Sequence, residues 1–170
     1  MDHFARLGLP AALELEPAAL DKAYFALQRQ WHPDRFVGKP AEQRARASAE
    51  AAALNDAYTT LKDPLARATY LAGLRGVEMP ADGKTIDDPE LLMEAMDARE
   101  ELHEAGTSQA VDGLAARARS DMQNALKGLG NLFLRDDKPA IRKALLRLRY
   151  LDKFAEEARA RRTNLERAKA

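Results

Sequence analysis

The 170-residue sequence contains no cysteine. That absence excludes disulfides, cysteine zinc sites, cysteine-ligated iron–sulfur clusters and a cysteine nucleophile, and it fits a reducing compartment. Strand-forming residues are scarce too. Three valines and 2 isoleucines stand against 34 alanines and 24 leucines, and aromatics make up 6%. β-branched and aromatic side chains suit a pleated sheet, whereas alanine and leucine favour helix. An all-α chain follows; a β-sandwich or doubly wound sheet is excluded. No apolar run approaches the roughly 18 residues that a membrane span needs. The opening Met1-Asp2-His3-Phe4 has neither the basic stretch nor the apolar segment of a secretory signal. A cytoplasmic protein without a membrane partner is expected. With 27 basic and 27 acidic side chains the net charge is zero, which argues against a strongly basic nucleic-acid binder or an acidic disordered tail.

Proline and glycine divide what remains into helical runs. Phe4 to Leu7 ends at Gly8 and Pro10. Pro17 stands where a first helical turn tolerates it. From there Leu20, Tyr24, Leu27 and Trp31 recur at spacings of 4, 3 and 4, one face of a helix, until Pro33 stops it. A loop with Gly38 leads to a run over 41–62 that keeps Leu54, Ala57, Tyr58 and Leu61 on one face. Asp63-Pro64 breaks that run, and a shorter helix reaches Gly76. Residues 77–88 hold Pro80, Gly83 and several polar residues and form the best linker. Helical runs over 89–105, 108–134 and 138–168 follow. This predicts an N-terminal helical domain over 1–76, a linker over 77–88, and an antiparallel three-helix domain over 89–170. Charge is segregated within the neutral total. Residues 87–134 carry a net −6 and residues 135–170 a net +6, so the last helices are expected to satisfy one another.

His32-Pro33-Asp34 joins two of the amphipathic helices. By itself the tripeptide reads as a C-terminal helix cation, a proline stop and a turn residue. No serine nucleophile or metal-ligand cluster accompanies it, so neither an enzyme nor a resident cofactor is expected. Its setting carries more. Leu20-Asp-Lys-Ala-Tyr-Phe-Ala-Leu-Gln-Arg-Gln-Trp-His-Pro-Asp-Arg-Phe, followed by Asn55, Ala57, Tyr58, Leu61, Asp63-Pro64, Arg67 and Tyr70, closely resembles a J domain. That resemblance implies a module that stimulates ATP hydrolysis by a DnaK-type chaperone, with the tripeptide contacting the ATPase. Proline removes a donor and fixes φ, so His32 and Asp34 are presented with less ordering cost. Lys22, Arg29 and Arg35 add positive charge suited to an acidic partner. The chain departs from general J domains after the helical tyrosine, where Phe25 and Ala26 replace the usual basic residues. A dedicated partner is therefore expected.

No Gly/Phe-rich linker or cysteine-rich region follows. The start Met-Asp-His-Phe-Ala-Arg-Leu-Gly-Leu-Pro, the stretch Leu91-Leu-Met-Glu-Ala-Met-Asp-Ala-Arg-Glu-Glu-Leu, and Arg149-Tyr-Leu-Asp-Lys together resemble the HscB family over essentially the whole chain. The resemblance implies a bacterial-type co-chaperone that delivers an IscU-like iron–sulfur assembly scaffold to an HscA-like chaperone. At 100° per residue, Leu91, Ala95, Ala98, Leu102 and Ala105 form one stripe that suits a bundle core. Leu92, Met93, Met96, Asp97, Glu100 and Glu104 fall on the far side. They meet either the rest of the chain or a partner, methionine being common on adaptable surfaces and rim acids orienting a basic partner. The resemblance places scaffold contacts on these six residues. In the last helix, Leu146, Tyr150 and Phe154 form a second stripe beside Ile141, Ala144, Leu145, Leu148 and Leu151. Spacing leaves burial and docking equally open there, and the resemblance places an aromatic scaffold contact at Tyr150. The alternative is a helical nucleic-acid binder using the basic last helix, against which the interleaved Asp152, Glu156 and Glu157 count.

Without cysteine and with histidines only at positions 3, 32 and 103, the chain has no soft-ligand site. Metal analysis of untagged protein purified anaerobically is expected to find no stoichiometric iron or zinc.

Overall fold

The computed structural model describes residues 1–81 and 86–168. Seven α-helices and one 3₁₀ turn account for the regular structure among them: α1 (His3–Leu7), α2 (Pro17–Trp31), the 3₁₀ turn (Pro33–Phe36), α3 (Ala41–Lys62), α4 (Pro64–Leu74), α5 (Pro89–Glu104), α6 (Ser108–Leu134) and α7 (Lys138–Arg167). The all-α expectation holds. The boundaries follow local chemistry. Asp2, Asp88, Thr107 and Asp137 accept backbone N–H groups from the first turns of α1, α5, α6 and α7. Gly8, at φ 65°, closes α1: its own N–H reaches the Ala5 carbonyl and that of Leu9 reaches Phe4. A left-handed residue is required there, and glycine adopts it without strain.

The chain forms two compact units, Met1–Leu71 and Ala72–Ala170. In the first, α3 carries the core stripe Ala47, Ala51, Leu54, Ala57 and Leu61, against which α1 and α2 bring Phe4, Leu7 and Leu20. A polar seam lies beside this core. The rings of Tyr24 and Tyr58 stack at 4.0 Å. Tyr24 donates to Asn55 Oδ1 at 2.8 Å, and Tyr58 donates to Asp21 Oδ1 at 2.7 Å. Arg67 ties α4 to its surroundings by donating to the carbonyls of Leu13 and Leu61. Its partial burial pulls the guanidinium pKa below the usual arginine value.

In the second unit α7 packs against both α6 and α5. Its fully buried Ile141, Leu145 and Leu148 lie on one face, while Leu146, Tyr150, Leu151, Phe154 and Ala158 join Leu91, Ala95, Leu102, Val111 and Ala115 in a shared cluster. The described part of the expected linker is packed rather than free. Val77 is buried, and Met79 and Ile86 lie against that cluster. Arg142 and Arg149 hydrogen-bond the carbonyls of Glu78 and Pro80. The apolar residues among the polar ones explain this. Asp82, Gly83, Lys84 and Thr85 lie outside the described residues.

The charge segregation resolves into a ladder. Arg142 pairs with Asp87, Lys143 with Glu90, Arg147 with Glu94 and Arg99 with Glu157, all between α7 and α5 or its approach, while Arg162 pairs with Asp112 of α6. Arg142 beside Asp87 holds that carboxyl below the ordinary range, and the Leu91 N–H does the same for Asp88. Exposed pairs of this kind contribute little individually; the apolar stripe carries the stability. Leu145→Ala is accordingly expected to cost ~2–5 kcal/mol in a denaturant titration, because it empties a fully buried site.

Candidate functional site

Two surfaces present chemistry that neither core absorbs, one in each unit. The first begins where α2 ends. A residue before proline is driven out of the helical region by the ring. His32 accordingly has φ −58° and ψ 129° and serves both as the end of α2 and as the cap of the 3₁₀ turn. Its Nδ1 accepts the Asp34 N–H at 3.3 Å, and Asp34 Oδ2 lies 3.5 Å from the same nitrogen. Its carbonyl accepts the Arg35 N–H at 3.0 Å. Four further contacts hold the loop. Arg35 Nη1 donates to the Arg29 carbonyl at 3.0 Å, and Arg29 Nε donates to the Phe25 carbonyl at 3.3 Å. The rings of Trp31 and Phe36 stack with their planes 3° apart, and the Arg46 guanidinium lies 5.6 Å from the Trp31 ring. His32, Pro33 and Asp34 are all exposed. The tripeptide is thus a short, doubly anchored projection with an acid and an imidazole at its tip.

Beside it lies an open hollow of about 570 Å³ lined by Phe25, Gln28, Arg29, His32 and Arg35. The structure brings His32, Arg29 and Arg35 together there. Lys22 and Asp34 do not line it: Lys22 is exposed on α2, and Asp34 stands at the turn. Phe25, noticed in the sequence only as a departure from a motif, is 55% exposed at this hollow.

The second surface is the outer face of α5. Leu91, Ala95 and Leu102 are buried as their spacing predicts. Opposite them Met93 and Met96 are 66% and 59% exposed, while Leu92 is half-buried. The helix sorts its acids. Glu90, Glu94 and Glu101 pair with Lys143, Arg147 and Arg117. Asp97, Glu100 and Glu104 are exposed and make no ion pair among the described residues. Two large apolar side chains and three uncompensated carboxylates therefore share one face.

Tyr150 lies deeper than these residues. The residue is 9% exposed and belongs to the core cluster with Leu91, Ala95, Leu146 and Phe154. The second stripe of α7 is buried because α7 touches both neighbouring helices. Tyr150 forms part of the lining of a cleft of about 240 Å³, with Asp97 and Glu101 of α5 and Arg117 and Asp121 of α6 also on its walls. Burial, followed by a hydrogen bond with Glu94, pushes its hydroxyl up to about 12, so it remains a neutral phenol.

Among the described residues no group of His, Cys, Asp or Glu could hold a metal ion, and no helix is long and apolar enough to cross a membrane.

Comparison with known proteins follows the same division. Residues 2–70 match the DnaJ domain, and residues 87–159 match the HSCB C-terminal oligomerisation domain. The co-chaperone protein HscB homolog of Burkholderia multivorans is 40% identical over 167 residues, covering 96% of this chain and 95% of its own. The homolog of Cupriavidus taiwanensis is 40% identical over 159 residues, covering 92% and 90%. Among solved structures, chaperone HscB from Vibrio cholerae superposes with a TM-score of 0.85 at 33% identity, covering 97% of this chain and 99% of its own. Human co-chaperone HscB gives 0.87 at 27% identity, covering 94% and 81%. A J-type unit carrying an anchored His-Pro-Asp loop, followed by a helical unit of this kind and relatives of this closeness, places the chain in the HscB family of co-chaperones.

Proposed function

We propose that this protein is a non-catalytic cytoplasmic co-chaperone that binds an IscU-like iron–sulfur scaffold, brings it to an HscA-like DnaK-type ATPase and stimulates that ATPase. His32, Pro33 and Asp34, with Arg29, Arg35 and Lys22, engage the ATPase. Leu92, Met93, Met96, Asp97, Glu100, Glu104 and Tyr150 hold the scaffold, Tyr150 from the wall of the cleft it shares with Asp97. The observation that carries the reading is the sorting on α5: acids facing the bundle are paired, while those beside Met93 and Met96 are not. A face of this composition suits an apolar partner with a basic rim. Holding client and ATPase on one chain raises their effective concentration.

The ladder speaks against nucleic-acid binding. Arg142, Lys143, Arg147 and Arg162 are engaged by carboxylates, and Arg161 by the carbonyls of His103 and Ala105. Phosphate binding would have to displace these partners.

His32→Gln is expected to abolish stimulation of the ATPase in a steady-state assay and to leave the melting curve in place, since the side chain is exposed and its polar contacts are with Asp34 of its own loop. A large fall in melting temperature with stimulation retained would contradict the assignment. Replacing Leu92, Met93 and Met96 together by alanine is expected to weaken scaffold binding by ~3 kcal/mol, roughly a hundredfold, measured by calorimetric titration. Any loss of stability should come chiefly from half-buried Leu92. Stimulation by the chain without scaffold should persist. Unfolding of the triple variant would assign these residues to the core instead.

A further inference from the structure

The hollow beside His32 contains a feature that the His-Pro-Asp loop does not explain. α2 already buries one stripe, Leu20 with Tyr24, Leu27 and Trp31 at least half-covered, yet Phe25 stands off that stripe and is 55% exposed. Its position is nevertheless fixed. The ring lies 5.2 Å from that of Tyr24, which in turn stacks on Tyr58 and donates to Asn55. Gln28, which forms another wall, donates to Asn55 Oδ1 at 2.8 Å and to Tyr24 Oη at 3.2 Å. Arg29 and Arg35 are held by backbone carbonyls through single nitrogens, and neither makes an ion pair among the described residues. The hollow therefore combines a preorganised aromatic edge, a volume of about 570 Å³ and two guanidinium groups with donors to spare. An isolated exposed phenylalanine needs no explanation, but one fixed at the edge of a hollow with uncompensated cations does.

We infer that Phe25 is an apolar docking contact for the ATPase partner. The hollow receives an apolar side chain of that partner, and an adjacent carboxylate meets Arg29 and Arg35. This rests on the reading that the His32 loop engages a DnaK-type ATPase, because the hollow shares His32 with that loop and both would lie under one partner. Charge selects the occupant: a basic or neutral segment would leave two cations uncompensated beside a desolvated ring. The contact sets how tightly the partner is held, whereas the loop sets what it does once held.

The test uses the full chain and the HscA-type ATPase encoded in the same genome, titrating ATPase stimulation for wild type, Phe25→Ala, Phe25→Leu and His32→Gln and melting each variant. Phe25→Ala is expected to raise the half-saturating concentration about tenfold while leaving maximal stimulation intact, as truncation of a docking anchor does. Phe25→Leu should recover to within about threefold of wild type, because an apolar side chain is kept. His32→Gln should remove maximal stimulation. If Phe25→Ala leaves the half-saturating concentration unchanged while His32→Gln abolishes stimulation, the Phe25 contact is refuted and the broader reading stands. If His32→Gln stimulates like wild type, the broader reading fails, and the Phe25 contact with it. A fall in the melting temperature of Phe25→Ala large enough to unfold the first unit would make Phe25 structural and overturn the proposal as well.

Discussion

Alanine governs how the helices of both units meet. Ala47, Ala51, Ala57 and Ala68 are buried in the first unit, and Ala95, Ala115, Ala118, Ala155 and Ala158 in the second. A methyl group lets two helix backbones approach closely, so leucine need fill only part of each interface. The cores are narrow as a result, and one stripe is enough on α2, α3 and α5, whereas α7, packed against two neighbours, buries two. This has a consequence for function. Where a helix packs along a single narrow stripe, a further large apolar residue on it is left outside. Phe25 on α2 and Met93 and Met96 on α5 are of this kind. The surfaces that can recruit partners follow from how little apolar surface the fold itself requires.

The loop after α2 rests on a different constraint. Proline at position 33 prevents His32 from continuing the helix, and the extended ψ of His32 turns the chain away. The displaced groups are then recaptured. The His32 imidazole and carbonyl accept the N–H groups of Asp34 and Arg35, while Arg35 reaches back to the last turn of α2. A terminus that would otherwise fray is tied to the helix on one side and, through Trp31 and Arg46, to α3 on the other. Exposure and order coexist here because the order comes from short-range bonds, not from burial. That lowers the entropy lost when a partner binds.

Much of this was legible in the residues. Helix limits could be read because proline, glycine and capping residues act over one or two positions. Pro17, Pro33, Pro64 and Pro89 each mark a first turn, and α5, α6 and α7 begin within a residue of their expected starts. The outer face of α5 was legible because helical geometry alone separates Met93 and Met96 from Leu91 and Ala95. Tyr150 was not. Its stripe is as regular as that of Met93, and its fate depends on α7 touching two helices at once, which no spacing within one segment reveals. The packing along the linker was hidden for a related reason: Val77, Met79 and Ile86 are too sparse to show a period, yet each finds cover. The hollow beside Phe25 needs the Arg29 and Arg35 rotamers, and those are set by the α2 carbonyls of Phe25 and Arg29.

Charge shows how local sorting carries information that totals conceal. The chain is neutral, and its acidic and basic segments lie on adjoining helices of one unit. Mutual neutralisation predicts that every acid of α5 will find a cation, and α7 has enough of them. The geometry permits it for only one side of α5. Glu90 and Glu94 face Lys143 and Arg147, whereas Glu100 and Glu104 lie on the face that exposes Met93 and Met96, and Asp97 stands at its edge on the wall of the cleft beside Tyr150, with no ion pair among the described residues. Those carboxylates repel one another mildly in the free protein, and the exposed methionines remain hydrated. Both costs would be relieved together by one partner that is apolar at its centre and basic at its edge. One helical periodicity thus keeps the core of the second unit closed and its outer face open.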